Sequence, residues 1–174
     1  VFSFYSASVY SAEQVDDGFN GFEPRFTCNV VIQNQKQAYS LINDLCSVMR
    51  VMPFYSAGTI SITQDRPTDP SYLFNLSNVT EGGFTYTNSA KTTKFTVVNV
   101  AYFDNDTQQI EYETVEDTAL QAKYGVVTKN LRGFATTSRG QATRLAKWFL
   151  YTQSNESEVV SFTTTLEAGT LVRC

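Results

Sequence analysis

The chain has 174 residues, 42% of them hydrophobic and 17% charged, with a formal net charge of −4. That balance describes a globular chain of one domain or two small lobes, long enough to bury a core without disulfide staples, and excludes a disordered one. An acidic surplus grips a phosphate backbone poorly, and the absence of histidine removes histidine-based triads, most zinc enzymes and the usual proton shuttle at neutral pH.

In chain order, residues 1–21 read as a connector from a preceding domain. Phe2, Phe4 and Val9 suggest a short strand, and Glu13 to Gly21 is polar and glycine-rich, which marks a loop. Phe26, Cys28, Val30 and Ile32 alternate with Thr27, Asn29 and Gln33, the pattern of a half-buried strand. Ala38, Leu41, Ile42, Leu45, Val48 and Met49 recur at steps of three and four and form one helical stripe. Asn34 is the expected N-cap, and Pro53 keeps the helix from running on. Phe54-Tyr55 and Thr59 to Ile62 flank Ser56-Ala57-Gly58 as a β-hairpin. Residues 22–66 thus read as a strand–helix–strand–strand lobe.

Residues 67–83, with Pro67, Pro70, Gly82 and Gly83, read as a linker. A second α+β lobe is expected over 84–157. Its strands are Phe84 to Thr87, the β-branched run Phe95 to Phe103, the return Ile110 to Glu113 after a turn at Asp104 to Thr107, and Val126 to Ala135. Glu116 to Tyr124 predicts a short helix ending on Gly125. Ser138 with Gln141 fits a capping box, opening a second long helix whose buried stripe is Ala142, Leu145, Ala146, Phe149 and Leu150, with Arg144 and Lys147 toward solvent. Residues 158–174 read as a strand, Glu158 to Leu166, leading into a following domain. The fold class is α+β: mainly antiparallel sheets with two principal amphipathic helices. No stretch reaches the length of a membrane span. No basic-then-apolar signal peptide opens the chain, and a start at Val1 with a strand-like end at Cys174 predicts a piece of something longer.

The chemistry on offer is thin, and no catalytic, cofactor or metal residues are expected. Glu111, Glu113, Glu116 and Asp117 cluster, but Glu111 and Glu113 share one strand face rather than opposing each other across a cleft, as a glycosidase pair must. A solvated strand face followed by an acidic helix start explains them. Asp104-Asn105-Asp106 lacks the spaced ligands of a calcium loop and reads as a turn. Cys28, Cys46 and Cys174 have no CxxC spacing and an odd count, so Cys28 and Cys46 read as core hydrophobes. A nucleophilic Cys46 has no histidine base. Lys129, Arg132, Arg139, Arg144 and Lys147 sit in the last third without interleaved stacking residues, which fits solvated faces or ion pairs to a neighbouring subunit rather than nucleic acid. Sequons at Asn75, Asn78, Asn105 and Asn155 arise readily in an Asn- and Thr-rich chain.

Several segments in fixed order carry a resemblance. They are Asp17-Gly18-Phe19-Asn20-Gly21-Phe22-Glu23-Pro24-Arg25-Phe26-Thr27-Cys28-Asn29, Ala38 to Leu45, Gln64-Asp65-Arg66-Pro67 with Asp69-Pro70, Phe84-Thr85-Tyr86, Glu113 to Asp117 with Tyr124-Gly125, and above all Thr137-Ser138-Arg139-Gly140-Gln141-Ala142 with Arg144-Leu145 and Trp148 to Tyr151. Together they resemble the host specificity protein J family, the tail tip attachment proteins of lambda-like siphophages. The similarity runs from about Asp16 to Arg173 and departs at Cys174, where the family tends to continue with Pro-Gly-Asp.

The resemblance implies a structural virion protein at the distal end of a phage tail, part of a homotrimeric baseplate or tail tip hub made with other tail tip proteins. Host attachment would run through a receptor met by regions outside this stretch, and phage DNA would pass through the assembled hub without specific binding. It brings no catalytic residues, so Ser138-Arg139-Gly140-Gln141 is expected to be a helix start and packing motif. Two other classes compete: a sugar-binding adhesin module, which needs a concave patch of exposed Tyr or Trp beside polar groups, whereas Trp148, the one Trp, reads as at least partly buried beside Phe149 and Leu150, and a cell-wall hydrolase using Glu111, Glu113 and Glu116.

Overall fold

The computed structural model describes residues 2–165 apart from 57, 71, 81, 89–93 and 157. Its larger core is a three-stranded sheet with a long helix across one face. Strand β6 (Val97–Asp104) runs in the middle, antiparallel to β7 (Gln109–Glu116) and parallel to β8 (Thr128–Arg132). Helix α4 (Arg139–Asn155) lies on the face that carries Val98, Val100 and Tyr102, and meets it with Ala142, Ala146 and Leu150. Val98, Val100, Ala142 and Ala146 are all at 0% exposure, because two alanines one turn apart let the helix come close to the valines. Each fully buried valine contributes about 1.5–3 kcal/mol of transfer free energy.

A smaller core forms around a hairpin of β3 (Val51–Ser56) and β4 (Thr59–Gln64), paired from Val51↔Gln64 to Ser56↔Thr59. Helix α1 (Phe2–Ala12) packs on it through Ala7 against Val51 and Ile62, and helix α2 (Ala38–Val48) through Cys46. The expected strand at Phe2, Phe4 and Val9 is therefore a helix. Aromatic and β-branched side chains favour strands only where a pleated neighbour exists; here Ala7 finds a hairpin face to pack on. Nor is there a strand over Phe26 to Ile32. The backbone amides of Phe26 and Asn29 donate to Ser11 and Ala135 carbonyls at 3.1 and 2.9 Å, not to a ladder, and Val31 is 80% exposed. Gln37, not Asn34, precedes α2, and its side chain makes no cap bond.

The short β1 (Gln14–Asp16) and β2 (Phe22–Pro24) pair antiparallel just after α1. Helix α3 (Thr118–Tyr124) links β7 to β8, with the Asp117 side chain accepting from the Leu120 amide at 3.0 Å as N-cap and Gly125 closing it at φ 78. On β7 the expected faces are reversed. Ile110 and Tyr112 are 64% and 71% exposed, while Glu111 and Glu113 are half-buried on the side of α4. Strand β5 (Thr85–Asn88) pairs with β9 (Glu158–Ser161) as a separate ribbon, beside which Phe74, Phe84 and Phe162 cluster with ring centroids 4.7–5.2 Å apart. The expected continuation of the last strand to Leu166, and Cys174, lie outside the described residues. The fold is α+β, as the sequence predicts.

Candidate functional site

The densest set of specific contacts lies where the strap of residues 13–29 crosses the start of α4. The strap is pre-shaped by its own acids. Asp16 Oδ1 accepts from the Gly18 amide at 2.6 Å, and Asp17 Oδ1 accepts from the amides of Phe19 and Gly21 at 2.6 and 2.9 Å. These backbone donors, ahead of the nearby Arg144 charge, hold the Asp17 carboxyl below its ordinary value. Gly18 and Asn20 take left-handed φ of 82 and 73, which the tight loop requires.

The strap then sits directly on Gly140. A Cβ there would stand 2.5 Å from Glu23 Oε1 and 2.8 Å from the Asp17 carbonyl oxygen, so only glycine admits this approach. Its neighbours fasten the contact. Ser138 caps α4 by accepting from the Gln141 amide at 3.2 Å, and its hydroxyl donates to Glu23 Oε2. The Gln141 side chain does not close the capping box. Instead it grips Thr27 three ways: Oε1 accepts from the Thr27 amide at 3.0 Å and hydroxyl at 2.8 Å, and Nε2 donates to the Thr27 carbonyl at 3.1 Å.

Arg144, expected to face solvent, is half-buried instead. Its Nη1 stands 2.7 Å from Glu23 Oε1 as an ion pair, and Nη2 donates to the Arg25 carbonyl at 3.1 Å. Arg139 links the strap to the sheet: its Nε is 2.9 Å from Glu113 Oε2, and its guanidinium lies 4.0 Å from the Phe19 ring centre. The Glu113 carboxylate raises the Arg139 pKa, chiefly through that hydrogen bond.

Beside this clamp, between the two cores, lies a pocket of about 520 Å³. Val48, Met52, Leu131, Leu145 and Phe149 supply most of its apolar wall. At one end the Arg50 guanidinium is sandwiched 4.7 Å from the Trp148 ring centre and 5.3 Å from that of Phe26. The Trp148 indole N–H donates to Asp65 Oδ2 at 2.9 Å. Burial lowers the Arg50 pKa, and the Asp65 charge opposes that shift. Arg50 sits at φ 52 in the turn from α2 into β3.

The structure separates the other candidates. Glu113 is occupied by Arg139, Glu116 accepts from Gln121 Nε2 at 2.9 Å, and Asp117 caps α3. No two of them face each other across the pocket, whose lining includes none of them. Asp104 Oδ1 accepts from the Asp106 amide at 2.8 Å, the local bond of a turn. Among the described residues no three of Cys, Asp and Glu gather as a metal-binding group. Cys46 packs on the small core as expected, but Cys28 is exposed on the strap, a correction to its reading as a core residue. Lys129 lies 5.2 Å from the Phe95 ring centre, Arg139 pairs with Glu113 and Arg144 with Glu23, so these three basic residues go to separate partners rather than forming one patch. The sequence assigns no contact to Glu23, Arg50 or Asp65. Their charges carry no periodic signal, and Ser138, Arg144 and Trp148, which they meet, lie 83 positions or more along the chain.

Comparison with known proteins identifies relatives of the chain. Residues 37–172 match the family described as "Putative phage tail protein". The chain is 40% identical over 166 residues to the Tip attachment protein J of Escherichia phage SECphi27, and 23% identical over 160 residues to that of Escherichia phage SECphi4. These alignments cover 95% and 91% of this chain and 14% of each relative, so the chain spans about one seventh of the length of those relatives. In fold it is similar to the 43 kDa tail protein of prophage MuSo2 from Shewanella oneidensis, with a TM-score of 0.52 and 14% identity over 78% of this chain and 41% of that one. With the family model matching residues 37–172 and 40% identity to a tip attachment protein over 95% of its length, the chain belongs to the phage tail protein family.

Proposed function

We propose that this chain is a structural part of a tail tip hub, the portion of a tip attachment protein that builds the distal end of a phage tail rather than the part that meets the receptor. The observation that carries the reading is the 40% identity across 95% of the chain to a protein named for tip attachment. The clamp supports it: its charged and polar groups pair with one another between the strap, α4 and β7, which is the chemistry of a rigid scaffold and not of bond-making. On this reading the hub is a closed homotrimer joined to other tail tip proteins, an arrangement in which head-to-tail contacts between identical chains complete a ring. The receptor is reached through regions outside these residues. DNA passes through without specific binding, a role the net charge of −4 favours by avoiding adhesion to phosphates.

The same reading divides the chain into lobes 22–66 and 84–157 joined by 67–83, with 1–21 as connector and 158–174 leading onward. The two separate hydrophobic cores support that division, with α1 making the connector a folded one. A sugar-binding module is the weaker reading, since Trp148 already commits its N–H to Asp65 and one ring face to Arg50. The test is immunogold labelling of intact particles with antibody against this chain, with mass photometry of the purified full-length protein. Label at the tail tip and a trimeric mass are expected. Label along the tube, or a monomer at micromolar concentration, overturns the reading.

A further inference from the structure

Residues 26–32 alternate as a strand does, yet they join no ladder. A mismatch of this kind between local pattern and fold marks a place where a further constraint acts. Among the described residues, none of residues 30–35 makes a hydrogen bond, and Val30, Val31 and Ile32 are all exposed. Three consecutive β-branched side chains suit a pleated neighbour and disfavour a helix. The chain also carries a fitting edge. Strand β8 pairs only with β6 among the described residues, so over residues 128–131 its far side presents unpaired backbone groups. Other edges fit less well. Pro53 in the middle of β3 removes a donor, the α4 side of β7 carries Glu111 and Glu113, and β4 packs with α1. Strands β1, β2, β5 and β9 have only three or four residues each.

We infer that residues 30–35 become a strand by adding antiparallel to the β8 edge of a second copy of this chain, with Ile32 against Leu131 and Gln33 against Asn130. That register sets Ile32 on the side where Leu131 packs with Val100, and it continues a row of polar side chains on the other side. In that row Thr114 Oγ1 donates to Asn99 Oδ1 at 2.8 Å and Asn99 Nδ2 donates to Asn130 Oδ1 at 3.2 Å, so Gln33 extends it by one strand. Six extended residues span about 20 Å, the length of β8. The β8 of the same chain is out of register. The Asn29 amide donates to the Ala135 carbonyl at 2.9 Å, and an antiparallel ladder continued from that pair sets Gln33 against Leu131 and Ile32 against Arg132. A slip of one residue exchanges the two faces, and a separate copy is free of that tether. Donor and acceptor are different surfaces, so the contact runs head to tail, as a ring requires. The inference rests on the hub reading and adds how one copy grips the next.

The test uses the full-length gene in phage, with the photoreactive substitution Gln33→p-benzoylphenylalanine. Gln33 is exposed and makes no hydrogen bond among the described residues, so the change disturbs no contact of the single chain. After irradiation of intact particles a covalent dimer of this chain is expected, joined within residues 128–132 of the second copy. Ile32→Pro removes an amide donor from the middle of the added strand and should lower the dimer yield at least about tenfold. Ile32→Val should keep most of it. If Ile32→Pro keeps the chain out of particles, the same fall is read on the purified full-length protein. A cross-link confined to one chain, a dimer joined outside residues 128–132, no cross-link at all, or indifference to Ile32→Pro overturns the inference. Absence of the unsubstituted chain from particles sinks the hub reading itself, whereas its presence without the cross-link sinks the strand exchange alone.

Discussion

At Gly140 the backbone of the strap occupies the space a side chain would take. Gly140→Ala places a methyl group 2.8 Å from the Asp17 carbonyl oxygen, which cannot rotate away. The expected cost is roughly 1–3 kcal/mol in urea unfolding, the scale of overpacking at a tight contact; an unchanged midpoint would show that the strap shifts freely. Gln141→Ala leaves the Thr27 amide and carbonyl unpaired beneath the strap and should cost about 1–3 kcal/mol. Asp17 adds a pH signature. Its folded pKa lies below the ordinary 3.8, so the stability it contributes is fully present above that value and is lost as pH falls through the depressed one. Asp17→Asn should therefore lower stability at pH 7 and flatten the acid limb of the stability curve, as measured by urea titrations across pH. The Ser138 start was legible because a capping serine depends on local spacing. Glu23 was not, because its partners stand 115 residues or more away in the chain.

Among the elements, α4 shows what a periodic stripe can and cannot disclose. Ala142, Ala146 and Leu150 fall where the helical period puts them, and Leu150→Ala should cost about 2–5 kcal/mol by leaving a cavity against the sheet. Arg144 occupies a solvent position on that same wheel, yet it is turned to account by Glu23 once the strap covers it. The reversed faces of β7 have a similar origin. Alternation separates Ile110 and Tyr112 from Glu111 and Glu113, but it does not say which pair meets the helix. Arg139, projecting from the first turn of α4, draws Glu113 inward and leaves Tyr112 facing out. The α+β class, the hairpin and the helices α2 and α4 were readable because each rests on local pattern. The helix at residues 2–12 and the irregular strap were not, because tertiary partners decide them.

Across the whole molecule, stability is unevenly distributed. The β5–β9 ribbon is only two strands wide, and its outer residues Tyr86 and Val159 are 64% and 65% exposed. Such a ribbon is marginal by itself. Hydrogen exchange should find its amides the first to exchange among the strands, with those of β6 at Val98 and Val100 the last; equal protection would mean that the ribbon shares the main core's cooperativity. The clamp binds regions that are remote in sequence, since Thr27 and Gln141 are 114 positions apart. On the ribosome, then, the strap emerges long before the residues that hold it. At synthesis rates of about 5–20 residues per second, it waits roughly 6–23 s for its helix. During that interval the Thr27 backbone lacks the Gln141 side chain that pairs it, so a nascent chain of this kind is best served by slow release or by a chaperone until the second half has been translated.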